Sequence, residues 1–215
     1  MTLRSFGCSF IFGSDLADDG RGGFYATPSK HTWPALLAAH LNLDYKCHAR
    51  PGIGNLQILE KLLTQSAADT DSLCVIGWTW IDRFDFNNRQ NDTWQTLMPI
   101  HNDPVTHSYY RDLHSQYRDK LTSLIYIKTA IDTLQQKNIR FVMTIMDDLL
   151  FETSCHSCPA IEDLQEYIKP HIKSFDGQTF LDWSRDQGFE ISKALHPLEA
   201  AHFAAAEYAK DYNFV

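Results

Sequence analysis

Ser9, in the stretch "FGCSFIFGS", is a small hydroxyl side chain placed where an apolar run gives way to glycine. His196, in "ALHPLEAAHFAAA", is an imidazole far along the chain, just ahead of an alanine-rich run. A hydroxyl is a poor nucleophile until a neighbouring base takes its proton, and an imidazole is the side chain best suited to that task near neutral pH. The "PGIGN" turn at residues 51–55 offers backbone N–H groups of the kind that hold an oxyanion. "GWTWIDR" at 77–83 offers the hydroxyl of Thr79 and the guanidinium of Arg83. A serine, a histidine, a glycine turn and further polar donors are the parts of acyl-transfer chemistry through a covalent serine intermediate.

These residues are distant in sequence, so secondary structure must gather them. "LRSFGC" reads as a buried strand, and a Gly-, Asp- and Ser-rich loop from Gly13 to Ser29 leads into a helix in "SKHTWPALLAAHLNL". "DYKCHA" reads as a second strand, and Asn55 caps a helix whose Leu56, Leu59, Leu62 and Leu63 recur at helical spacing. "SLCVIGW" is apolar throughout, as expected of a strand covered on both faces. Leu113, Tyr117, Leu121, Leu124, Ile127, Ile131 and Leu134 predict one long amphipathic helix from Tyr110 to Gln136. "IRFVMTIMD" follows as a strand, and Pro197 opens a last helix in "PLEAAHFAAAEYAKDY". Strands alternating with helices predict an α/β fold, a three-layer α/β/α sandwich on a central parallel sheet. In such a sheet the loops after the strands converge at one edge, which would bring Ser9, "PGIGN", "GWTWIDR" and His196 together.

Composition bounds the alternatives. The chain has 215 residues, 44% of them hydrophobic, which suits a single domain spanning residues 1–215; the aperiodic segment 82–107 is read as a lid over the site. A formal net charge of −8 argues against nucleic acid as a partner, since phosphate binding draws on clustered Lys and Arg. No apolar run is long enough to span a membrane and no secretory leader is read, and five cysteines, an odd number, suit a reducing compartment, so a cytoplasmic location is expected. Cys155 and Cys158 have the spacing of half a zinc site, but no matching second half appears, and neither a metal nor an organic cofactor is expected.

The ordered blocks "FGCSFIFG", "ARPGIGN", "IGWTWIDR" and "HPLEAAHFAAA" resemble those of the SGNH, or GDSL, hydrolases. The resemblance covers the chain from Phe6 to about Ala206 in short motifs, and implies a flavodoxin-like sandwich without cofactors. It places Ser9 at the nucleophile and His196 at the general base. The backbone N–H groups of Ser9 and Gly52 would form the oxyanion hole. The implied activity is hydrolysis of an acyl or acetyl ester on a small or glycan substrate. Acyl transfer, or a catalytically degenerate binding domain of the same fold, are the alternatives.

Three positions depart from the family pattern. Thr79 stands where an asparagine is usual, so its hydroxyl, or the amide of Asn55, would supply the third oxyanion donor. Lys193 stands where an aspartate is usual three residues before the histidine, leaving Glu190 or Asp186 to orient His196 or a dyad to work without one. Cys8 replaces the aspartate beside the nucleophile. Trp78 and Trp80 bracket Thr79 as candidate substrate walls, one of them expected to pack the sheet instead. Arg83 either binds substrate or pairs with Asp85, and His202 is read as structural.

Overall fold

The run 72–78 lies buried at every residue, between neighbours on both edges and helices on both faces. The computed structural model describes residues 1–18, 27–65, 71–212 and 214. Strand β1 (Thr2–Gly7) runs into a single helical turn, α1 (Ser9–Phe12), and helix α2 (Trp33–His40) leads to β2 (Asp44–Cys47). Helix α3 (Asn55–Gln65) precedes β3 (Ser72–Trp78). A hairpin of β4 (Phe84–Asn88) and β5 (Thr93–Leu97) follows, then α4 (Pro104–Asp112) and α5 (Gln116–Gln136). Strand β6 (Arg140–Ile145), α6 (Pro159–Ile168), α7 (Phe180–Asp186) and α8 (Glu199–Ala209) complete the order.

The main sheet has the order β2-β1-β3-β6, with every pairing parallel. Gly7 lies opposite Gly77, and Gly77 opposite Thr144, so the carboxyl ends of β1, β3 and β6 are level. A bridge between Met143 and Ile172 extends the sheet by one short position. Alternation along β3 sends Leu73 and Val75 to one face, against Trp33 and Leu37 of α2, Leu181 of α7 and the small Ala201 and Ala205 of α8. It sends Cys74, Ile76 and Trp78 to the other face, against Ile58 and Leu62 of α3, Leu124 and Ile131 of α5 and Ile161 of α6. This is the expected α/β/α sandwich.

Three expectations are corrected. The helix predicted over 110–136 is two, because Ser115 accepts the backbone N–H of Arg118 and starts α5 afresh. Leu113, counted as a core position of that pattern, lies in the break and is 71% exposed. Pro197 does not open the last helix: it pairs with Ile191 in a β-bridge, and α8 begins at Glu199 after Leu198. The segment 82–107, read as lacking period, contains the β4–β5 hairpin and the start of α4. The Gly13–Ser29 loop lies partly outside the described residues.

Candidate active site

Gly7 ends β1 where a side chain has no room: a Cβ there would lie 2.5 Å from Ile11 Cγ1 and 2.9 Å from the Gly77 carbonyl. The close approach lets α1 fold back over the sheet edge. Ser9 is the first residue of that turn, so its N–H has no partner within its own helix. Its side chain faces a cavity of about 320 Å³ lined by Phe10, Trp80, Arg83, Met98, Ile100 and His196 among others.

Ser9 Oγ lies 2.9 Å from His196 Nε2, across 187 residues of sequence. On the other side of the ring, His196 Nδ1 lies 2.9 Å from Oδ2 of Asp15. Phe10 packs against the imidazole edge to face, with ring centroids 5.2 Å apart. A hydroxyl, an imidazole and a carboxylate are therefore joined in series. With Nδ1–H donating to the carboxylate, Nε2 is left to accept the serine proton.

Asp15 was not among the residues read from the sequence. It lies six positions after Ser9, in "GSDL", and adopts a left-handed backbone with φ 76°. Aspartate tolerates that conformation better than most residues, and it turns the carboxylate back toward the histidine. The acids proposed instead do not take this place. Asp186 is exposed and accepts a hydrogen bond from Gln178 Nε2 at 2.6 Å, and Glu190 is exposed. Lys193 sits at the corner of a tight turn, in which Leu195 N donates to the Ser192 carbonyl at 3.0 Å and Ser192 N to the His196 carbonyl at 2.8 Å. Lys193 is exposed there.

The "PGIGN" turn is tied to the serine's strand: His48 N donates to the Ser5 carbonyl at 2.8 Å and Arg50 N to the Gly7 carbonyl at 3.1 Å. Gly52 takes the left-handed φ of 78°, and a Cβ there would point at Met98 Cε, 3.9 Å away, on the cavity wall. Asp85, buried, gathers the rest of this turn. It accepts from Gly54 N at 2.9 Å, Gln57 N at 3.0 Å, Gln57 Nε2 at 2.8 Å and Thr96 Oγ1 at 2.6 Å. The carboxylate thereby serves the open N–H groups at the start of α3. It does not pair with Arg83, whose Nη1 donates to the Ile53 carbonyl at 3.0 Å and whose guanidinium lies 4.9 Å over the Trp80 ring.

Asn55 and Thr79 do not meet the cavity as oxyanion donors. Asn55 is buried and its amide donates to the Thr79 carbonyl and to Ser123 Oγ, both at 3.2 Å, while its Oδ1 accepts Thr79 N at 2.9 Å. The two residues clamp α3 to the end of β3. Thr79 Oγ1 is buried without a hydrogen-bond partner among the described residues. Of the two tryptophans, Trp78 is the one that packs the sheet rather than a substrate wall: it is fully buried in the core, with Nε1 on Met143 Sδ at 3.3 Å. Trp80 is the tryptophan that lines the cavity.

Two further side chains find other surroundings. His202 is buried beneath the site, where Nδ1 accepts the Trp33 N–H at 3.1 Å; burial above all, and the nearby His196, push its pKa down to about 3. Cys155 is exposed, and Cys158 immediately precedes α6 with its sulfur 3.8 Å from the Tyr117 hydroxyl. Among the described residues no helix is long and apolar enough to cross a membrane.

No protein-family model matches the chain, and no curated protein matches it in sequence. Its structure is similar to that of a member of the lipolytic G-D-S-L family from Veillonella parvula. The TM-score is 0.53 at 14% identity, over 98% of this chain and 97% of that one. It is also similar to an acetyl-xylooligosaccharide esterase from Geobacillus, with a TM-score of 0.54 at 11% identity, over 100% and 95%. A psychrotrophic esterase from Pseudoalteromonas, solved with monoethylphosphonate as inhibitor, gives 0.51 at 14% identity, over 98% and 94%. The likeness establishes the fold: an α/β sandwich shared, end to end, with lipolytic proteins and carbohydrate esterases.

Proposed function

We propose that the chain is an ester hydrolase acting through an acyl-enzyme on Ser9. His196 Nε2 takes the Ser9 proton as Oγ attacks the ester carbonyl, and Asp15 holds the ring and offsets the charge it gains. The N–H groups of Ser9 and Gly52 receive the developing oxyanion. The tetrahedral intermediate collapses, the alcohol leaves with the proton from His196, and the acyl group remains on Ser9. Water, deprotonated by the same imidazole, then releases the carboxylic acid and returns the proton to Ser9.

The observation that carries this reading is the run Ser9 Oγ–His196–Asp15, with 2.9 Å at each junction. It supports this reading over a degenerate site despite the lysine at position 193, because Asp15 brings a carboxylate to His196 from a different loop.

The cavity favours an apolar acyl group over a sugar. Phe10, Trp80, Met98, Pro99, Ile100 and Leu195 make up most of its wall. Sugars are gripped by an open aromatic face with hydrogen-bonding groups around it, yet Trp80 carries the Arg83 guanidinium on one face and Phe10 packed against it at 5.5 Å. An acyl chain of several carbons fills such a groove and gains with each methylene buried, about 0.8 kcal/mol.

A fluorophosphonate probe tests the nucleophile. Wild-type protein is labelled on Ser9 and Ser9→Ala is not; folded wild-type protein that resists labelling refutes the proposal.

A further inference from the structure

We infer that Ser192 is a positioning residue for the reaction, fixing Asp15 and His196 to one another as a single unit. The inference rests on the serine-hydrolase reading above and adds to it a group that neither the motif blocks nor the Ser-His-acid series contains.

The Ser192 hydroxyl has three partners. It donates to Asp15 Oδ2, the same oxygen that faces His196 Nδ1. It accepts the backbone N–H of Ala194 and of His196 itself, each at 3.2 Å. A hydroxyl has one hydrogen and two lone pairs, so these three bonds use its full capacity and leave the hydrogen only one direction, toward the acid. The hydroxyl thus joins the acid to the main chain of the residue whose ring the acid must orient.

Why a link is needed follows from the backbone. The turn 192–196 holds Leu195 at φ 67°, a left-handed conformation that branched, bulky side chains disfavour. Asp15, on the opposing loop, is left-handed as well. Two loops, each turned by a left-handed residue, face each other, and the Ser192 hydroxyl bridges them. A second clip lies alongside: Ala17 N donates to Glu199 Oε1 at 2.7 Å, tying Asp15's loop to the start of α8. Of the two clips, only Ser192 reaches the carboxylate oxygen used by the imidazole.

Ser192→Ala is expected to lower kcat about ten- to a hundredfold with KM unchanged, the range for a lost hydrogen bond to a charged group. In an Asp15→Asn background the same change should cost little, because its effect passes through the carboxylate. A role confined to shaping the turn would persist in that background, and equal losses in the two backgrounds overturn the inference, as does a Ser192→Ala enzyme with wild-type kcat. The hydrogen-bonded Nδ1 proton of His196, read by NMR on isotope-labelled protein, gives a test independent of turnover. Its low-field resonance should survive in Ser9→Ala and move or broaden in Ser9→Ala/Ser192→Ala; an unmoved resonance refutes the positioning role. Absence of esterase activity together with a Ser192-dependent resonance would count against the hydrolase reading and for the positioning.

Discussion

Among the described residues, two pairs of imidazole and carboxylate have the same separation. His196 Nδ1 is 2.9 Å from Asp15, and His114 Nε2 is 2.9 Å from Asp119. In the first, donor and acceptor are aligned as a hydrogen bond and the far ring nitrogen meets a serine hydroxyl beside a cavity. In the second the atoms are close but out of line for a hydrogen bond, and Arg118 also approaches the carboxylate, at 3.4 Å. The ring of His114 packs beside Tyr109 and Tyr110 rather than a nucleophile. Burial, first of all, pushes the Asp119 carboxyl up, against the opposite pull of His114 and Arg118. Proximity of acid and base is therefore common to both, and alignment and what lies beyond the ring separate the proposed reaction centre from the other pair.

The sharpest way to break the comparison is Asp15→Asn. An amide in place of the carboxylate removes both the charge and the preference for Nδ1–H, so kcat should fall about a thousand- to ten-thousandfold with the protein still folded, read from ester hydrolysis or from the rate of phosphonate labelling. His114→Gln should do the reverse. Turnover stays within about twofold of wild type, while denaturant titration shows a loss of about 1 kcal/mol at most, since the pair is not a hydrogen bond and Arg118 still approaches the carboxylate.

A third histidine sharpens the contrast by pH. His202 is held neutral, with a pKa near 3 against 6.5 for the free side chain, so between those values the unfolded chain binds the extra proton. Stability contributed by this group is complete above about pH 6.5 and is lost as pH falls toward 3, with a slope of at most about 1.4 kcal/mol per pH unit. His202→Gln keeps an acceptor for the Trp33 N–H and should flatten the stability profile between pH 3 and 6; an unchanged slope would assign that acid sensitivity elsewhere.

Much of the sandwich was legible because its signals are local. The run 72–78 is apolar at every position, and a strand buried on both faces has no other way to look. The boundary at Ser115 was not, since Leu113 and Tyr117 continue a helical rhythm while facing solvent. In the site, Ser9 and His196 could be paired from their places after the first strand and before the last helix. Asp15 could not, because the family pattern puts the acid three residues before the histidine, and in this chain that position is the turn corner at Lys193. The left-handed φ that aims Asp15 has only a faint trace in sequence, an aspartate shortly after Gly13. For Asn55 and Thr79 the side-chain chemistry was readable but its direction was not: a donor's identity does not disclose which acceptor it meets, and here they meet each other.

The spacing of the series along the chain has one more consequence. A ribosome lays down the hydroxyl of Ser9 and the carboxylate of Asp15 almost together, and the imidazole that must stand between them follows 181 residues after Asp15. Until that late turn emerges and docks, Ser9 lacks the imidazole proposed as its base. A nascent chain stalled anywhere between holds Ser9 without His196, so the proposed nucleophile meets its base only after every strand of the main sheet has been made.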